Sequence, residues 1–148
     1  MKPEVAIFDM DGTLCNVSGI RHYVRKPNRD FDSFHKASIL CPPNENVVDA
    51  VWREYSLGRR IAIVSGRKEK YRDVTRTWLI KHQIPHDGLF MRENKDGRKD
   101  VEVKREILRD LRTYYEVVAA YDDNSSIIEL WQSEGIDTVI VPGWETES

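Results

Sequence analysis

The sequence predicts an α/β fold, a parallel sheet covered by helices on both faces. Three observations carry it. Short apolar, β-branched runs recur down the chain without the polar alternation of a half-exposed strand, so each reads as a strand buried on both sides. The stretches between most of them carry helical periodicity with start and stop signals. No interval after the first run is a hairpin: Asp11-Gly12 follows the strand directly, but no second strand-like run lies at hairpin distance.

Taken in order, Val5-Ala6-Ile7-Phe8 is the first strand, followed at once by Asp9-Met10-Asp11-Gly12-Thr13-Leu14. Residues 15–43 read as irregular and end in Pro42-Pro43. Asn44 is placed to cap a helix through Val47, Val48, Val51, Trp52 and Tyr55, closed by Gly58. Residues 60–65 form the second strand, ended by Gly66, and a helix runs from about Glu69 to His82, stopped before Pro85. Gly88 to Met91 is the third strand. Asp100 to Arg112 is a helix with Val103, Ile107, Leu108 and Leu111 on its apolar stripe. Glu116 to Tyr121 is the fourth strand, Asn124 caps a helix ending at Gly135, and Thr138 to Val141 is the fifth strand.

Length and composition bound the rest. At 148 residues, with 40% hydrophobic and 32% charged, the chain fits one ordinary globular domain over 1–148. No apolar run reaches the roughly 18 residues of a membrane span, and no signal-peptide pattern opens the chain. Cys15 and Cys41 lack C-x-x-C spacing and partner histidines, which fits reduced thiols of a cytoplasmic protein.

In such sheets the site lies beyond the carboxyl ends of the strands. Asp9 and Asp11 follow the first strand and, two apart in extended backbone, face one pocket. Ser65, Gly66 and Arg67 follow the second, Arg92 the third, Asp122 and Asp123 the fourth. Crowded carboxylates need a cation or a shared proton to offset their repulsion. Together with a hydroxyl and guanidinium groups they suit a phosphate and a divalent metal. An EF-hand loop does not fit, because Gly12 stands fourth rather than sixth from Asp9. His82 and His86 have i, i+4 spacing, but Pro85 interrupts the helix, so they read as surface residues. Trp52, Trp78 and Trp131 read as core packing, and Trp144, in a tail with Glu145 and Glu147, as catalytically irrelevant.

Asp9-Met10-Asp11-Gly12-Thr13-Leu14 resembles the first motif of the haloacid dehalogenase (HAD) superfamily phosphatases. Ser65 matches the second motif, Lys104 the third and Asp122-Asp123 the fourth, in the family's order. Val64-Ser65-Gly66-Arg67, Arg92-Glu93, Arg98-Lys99-Asp100 with Val103-Lys104, and Asp122-Asp123 with Glu129-Leu130-Trp131 are similar to the phosphatase domain of bacteriophage polynucleotide kinase-phosphatase. The resemblance implies a Rossmann-like three-layer fold and a 3′-phosphatase acting through an aspartyl-phosphate. Asp9 would be nucleophile, Asp11 general acid and base, and Ser65 and Lys104 phosphate contacts. Thr13, Gly66, Arg67 and Arg92 would contact substrate, with Arg21 as the family's early substrate arginine, aligned through a one-residue insertion. Mg2+ would be held among Asp9, Asp11, Asp122 and Asp123, with Asp123 the first choice as direct ligand and Asp122 beside it.

This superfamily inserts cap domains after the first motif, and residues 15–43 are too short for one. The segment holds Arg21, Arg25, Lys26, Arg29 and Lys36 against Asp30 and Asp32, a net of +3 in a chain of net −2. A basic rim without a closing cap suits a phosphodiester chain running to its terminal phosphate, which the resemblance implies is the 3′ end of a DNA or RNA strand. No G-x-x-x-x-G-K-[ST] loop is present, so kinase activity is not expected of this sequence. A phosphatase of nucleotide-sized metabolites is the alternative. A non-catalytic binding module is a third reading, disfavoured because binding alone needs no nucleophile. A homodimer is the assembly left open.

Overall fold

In the computed structural model, which describes residues 1–143, five strands form one parallel sheet. They are β1 (Glu4–Phe8), β2 (Arg60–Lys68), β3 (Gly88–Arg92), β4 (Glu116–Asp122) and β5 (Asp137–Ile140). Their order across the sheet is β3-β2-β1-β4-β5. The five helices are α1 (Phe31–Ala37), α2 (Glu45–Ser56), α3 (Arg72–Lys81), α4 (Asp100–Tyr114) and α5 (Ser125–Ser133).

The strand sequences dictate burial on both faces, and two separate apolar cores result. Ala6, Phe8, Ile61 and Ile63 pack with Val47 and Val51 of α2 and Trp78 and Leu79 of α3. Val5, Ile7, Ala62 and Val64 pack on the other side with Leu108 and Leu111 of α4 and Ile127 and Trp131 of α5. The chain thus builds outward from β1 in one direction through β2 and β3, then returns to add β4 and β5 on the other side. The reversal falls between β1 and β4, and a crevice opens there at the carboxyl ends of the strands.

Four details depart from the sequence-based expectation. The segment read as irregular contains α1, whose start is set by the Asp30 side chain accepting from the Ser33 N–H at 3.0 Å. β2 does not stop at Gly66. Its pairing with β3 shifts between Val64 and Lys68, and a bulge carries the strand on to Lys68. Asn44 occupies the N-cap position of α2, yet its side chain caps nothing: Nδ2 donates to the Thr13 carbonyl at 2.7 Å, tying α2 to the turn after β1.

The fourth departure is Trp52, which is 45% exposed rather than packed. Val47, Val48 and Val51 set the inward face of α2, and buried Glu54 extends it by accepting from Tyr121 Oη and pairing with Arg59. Trp52 lies about 100° around the helix from Val51, with its ring edge-to-face with Tyr55. Trp78 and Trp131 are buried as expected, and Cys15 and Cys41 are buried free thiols. The Trp144 reading lies outside the described residues. Among the described residues no helix is long and apolar enough to cross a membrane.

Candidate active site

Asp9 extends β1 by one residue, its N–H donating to the Tyr121 carbonyl of β4 at 3.0 Å. This sets its carboxylate at the switch point. Gly12, with φ of 83°, turns the chain back there in a conformation few other residues adopt. The turn brings the Thr13 hydroxyl 3.0 Å from Asp9 Oδ2 and 3.2 Å from Asp123 Oδ1, so its single proton can serve either carboxylate.

Lys104, on the first turns of α4, reaches across from the opposite side. Its Nζ lies 2.8 Å from Asp9 Oδ1 and 3.1 Å from Asp122 Oδ2, with the lysine 3% exposed. Asp122 Oδ1 also accepts the Asn124 N–H at 3.1 Å, which holds the turn into α5. Burial pushes the Asp9 carboxyl well above its ordinary range, and the Asp122 charge pushes it further, against the pull of Lys104. Burial works against the Lys104 charge, yet Asp122 and Asp9 hold the ammonium above its ordinary pKa. Asp9, Asp122 and Asp123 each offer a carboxylate oxygen within 4.8 Å of the others. Three hard oxygen donors around one point, with Lys104 beside the three anions, fit a divalent cation. Asp11 is not in that group.

Asp11 faces the other way, toward the bulge of β2. Arg67 holds it with a two-pronged contact, Nε to Oδ2 at 2.9 Å and Nη2 to Oδ1 at 2.5 Å. The third guanidinium nitrogen donates to Thr75 Oγ1 at 2.9 Å, and Thr75 donates to the Tyr71 carbonyl at 2.7 Å. Burial alone would raise the Asp11 carboxyl, but the guanidinium overrides it and holds the group below the usual carboxylate range. Ser65 is 1% exposed, and its Oγ accepts the Arg67 backbone N–H at 3.1 Å, so it shapes the bulge that aims Arg67.

Arg92 lines the cavity and also braces the protein itself. Its donors reach the carbonyls of Gly66 at 3.0 Å and Asp96 at 3.1 Å, the Arg98 carbonyl and the Asp100 carboxylate. It staples the segment 96–100 against β2. A side chain at Gly66 would meet Asp100 Oδ1 at 2.6 Å, which explains glycine there. Arg21 sits in a short 3-10 turn, residues 21–24, and is not among the residues lining the cavity.

The cavity, about 940 Å3, opens above Asp9, Asp11, Lys104 and Asp123. It is walled by α1, by the segment after β2 and by residues 96–100. Several wall residues were missed by sequence reasoning. His35 packs 4.2 Å from the Tyr71 ring, Tyr71 donates to Asp32, and Lys70 pairs with Asp32 at 3.3 Å. These contacts latch the insert to the segment between β2 and α3. The Asp30-x-x-Ser33 spacing was the available signal for α1. Nothing local marks which of its residues face the site.

Comparison with solved structures places the fold. The chain superposes on a chain of the Pnkp1/Rnl/Hen1 RNA repair complex with a TM-score of 0.81 at 29% identity, covering 95% of this chain and 42% of that one. A class C acid phosphatase from Bacillus anthracis, with tungstate bound, superposes with a TM-score of 0.71 at 18% identity, covering 98% and 70%, which shows the shared fold alone. A protein of Autographa californica nuclear polyhedrosis virus, assigned as a bifunctional polynucleotide kinase/RNA ligase, is 29% identical over 142 residues, 93% of this chain and 19% of its own length. This chain therefore spans about a fifth of the viral protein and less than half of the repair-complex chain.

The fold and the site together define the class, a phosphomonoester hydrolase of the HAD type, and phosphatases of this class use a divalent metal. The family is narrower still. Residues 3–143 match the model for the polynucleotide kinase PNKP phosphatase domain, and the chain belongs to that family.

Proposed function

We propose that the protein removes 3′-terminal phosphates from polynucleotides, with magnesium, through a phosphorylated Asp9. The observation that supports this most directly is Asp9 itself: a carboxylate at the switch point, only 10% exposed and open to the cavity, with one oxygen on Lys104 and the other within reach of Thr13. An aimed carboxylate can attack phosphorus and divide one slow hydrolysis into two faster steps.

In the first step an Asp9 oxygen bonds to phosphorus, the bond from phosphorus to the 3′ oxygen breaks, and Asp11 gives its proton to the departing oxygen. In the second, water attacks the same phosphorus, its proton passes to Asp11, and the bond to Asp9 breaks to release phosphate. The Arg67-bound, ionised Asp11 of the free protein is the form this second step needs. An incoming phosphate brings negative charge beside Asp11, which favours the protonated form required by the first step. Lys104 offsets charge on Asp9 and on the transferring group throughout. A magnesium ion held by Asp9 and Asp123, with Asp122 beside them, would screen the nucleophile from the phosphate it attacks.

Family membership and a cavity that extends well beyond the carboxylates support a polynucleotide over a nucleotide. The test compares kcat/KM on a 3′-phosphorylated oligonucleotide and on the free 3′-nucleotide, at two salt concentrations. The oligonucleotide should react faster, and salt should suppress its reaction more. Equal efficiency with equal salt response would transfer the assignment to small metabolites.

A further inference from the structure

We infer that Phe31, at the start of α1, is a stacking platform for a base of the strand whose 3′-phosphate enters the site, with Arg29, Lys68 and Lys99 receiving its phosphodiester. This rests on the proposed polynucleotide substrate and deepens it. Phe31 is 50% exposed and lines the same cavity as Asp9 and Asp11. An aromatic ring half open to solvent has apolar face to offer, unlike Phe34 of the same helix, which is buried. The Phe31 ring lies near-parallel to that of His35, with centroids 6.5 Å apart at 21°, and His35 packs against Tyr71 with centroids 4.2 Å apart. A half-exposed aromatic ring on the cavity wall can accept a base by stacking.

The charge around it favours a phosphodiester chain over a neutral aromatic ligand. Arg29, Lys68, Lys70, Arg98 and Lys99 line the cavity. Lys70 is paired with Asp32, and Arg98 with Asp96 and Glu106. Arg29, Lys68 and Lys99 form no ion pair among the described residues, so their charge is available to a ligand. At about 940 Å3 the cavity lies near the upper end of small-ligand pockets, roughly 300–1,000 Å3, far more than one phosphate requires. A base stacked on Phe31 must be out of a duplex, so the ligand is a single-stranded end. The family resemblance names Arg21 and Arg92 among the substrate contacts. Arg92 lines the cavity while engaging four partners within the protein, and the inference adds Arg29, Lys68 and Lys99 as contacts for the phosphodiester.

The test is a cycle between protein and substrate, read as kcat/KM. Wild type, Phe31→Ala and Phe31→Trp are assayed on a single-stranded 3′-phosphorylated oligonucleotide and on strands made abasic at the terminal or the penultimate position. Phe31→Ala should lower kcat/KM on the intact strand about 5- to 150-fold, the range expected for loss of one stacked base. The loss should shrink toward unity on one of the two abasic strands, and Phe31→Trp should restore the rate. Phe31 is exposed, so an unchanged Tm is expected for both variants. An equal penalty on all three strands, no penalty on the intact strand, or no recovery with Trp would overturn the platform while leaving the 3′-phosphatase reading standing. If wild type instead shows no preference for the oligonucleotide over the free nucleotide, the underlying reading itself fails.

Discussion

Arg67 grips Asp11 through two parallel hydrogen bonds of 2.9 and 2.5 Å, with the guanidinium 1% exposed and the carboxylate 20%. The pair joins the turn after β1 to the bulge of β2, and so couples the candidate acid–base group to the fold. Removing one member should leave the other charged and buried. Arg67→Ala should cost about 3–5 kcal/mol of unfolding free energy by urea denaturation. Asp11→Asn with Arg67→Ala should cost clearly less than the sum of the single changes, because the uncompensated charge is gone. Additive losses would show that the two side chains do not act as a pair.

Asp9→Asn should abolish phosphate release while preserving the fold. The amide keeps the shape and removes an anion that Asp122 repels. The metal-free variant should therefore be at least as stable as wild type. Fluorine NMR of the wild type with fluoroberyllate should show a bound species that the variant lacks. A variant with near-native turnover would eliminate the covalent route.

Chelation of divalent cations should silence hydrolysis and magnesium should restore it. A second readout is independent of turnover. At 100 times its Kd, a ligand that binds only the folded state adds about 2.7 kcal/mol, so magnesium should raise Tm. Asp123→Asn should blunt that rise, since Asp123 contributes one of the three clustered carboxylates. A full magnesium-dependent shift in Asp123→Asn would remove Asp123 from the ligand set.

His35 predicts an acid-sensitive insert. Burial, reinforced by Arg67 and Lys70 and opposed by Asp11 and Asp32, lowers its pKa from 6.5 to about 4. Between those values the unfolded chain binds the proton and the folded one does not, so stability rises with pH across the window. It should be lost as pH falls from 6.5 toward 4, by up to about 3 kcal/mol, with no further loss from this group below. Denaturation of His35→Gln at several pH values should show a flatter profile between pH 4 and 6.5. An unchanged slope would place the acid sensitivity elsewhere.

The family's likeness was legible because it rests on short linear motifs, each set at the end of a run that periodicity identifies as a strand. Asp9, Asp11, Ser65 and Asp122-Asp123 are read in that way, and Lys104 only through motif order. The strands and all helices but α1 were legible for the same reason, since buried runs and caps are local signals. Trp52 shows the limit: apolar type does not fix rotation, and Val51 and Glu54 decide which side of α2 faces inward.

By itself the sequence determined the alternation of strands and helices, the parallel sheet and the cluster of acidic groups at its carboxyl end, because each depends on residues close together in the chain. Tertiary structure alone decided the partners. Arg67 lies 56 positions from Asp11 and Lys104 lies 95 from Asp9, so only the strand order β3-β2-β1-β4-β5 brings them together. It also decided that Arg92 braces the protein at the cavity wall, and that Arg29 and Phe31 line the same cavity. Such choices depend on which donors the folded backbone leaves unsatisfied and which faces packing leaves open, and neither is written in local sequence.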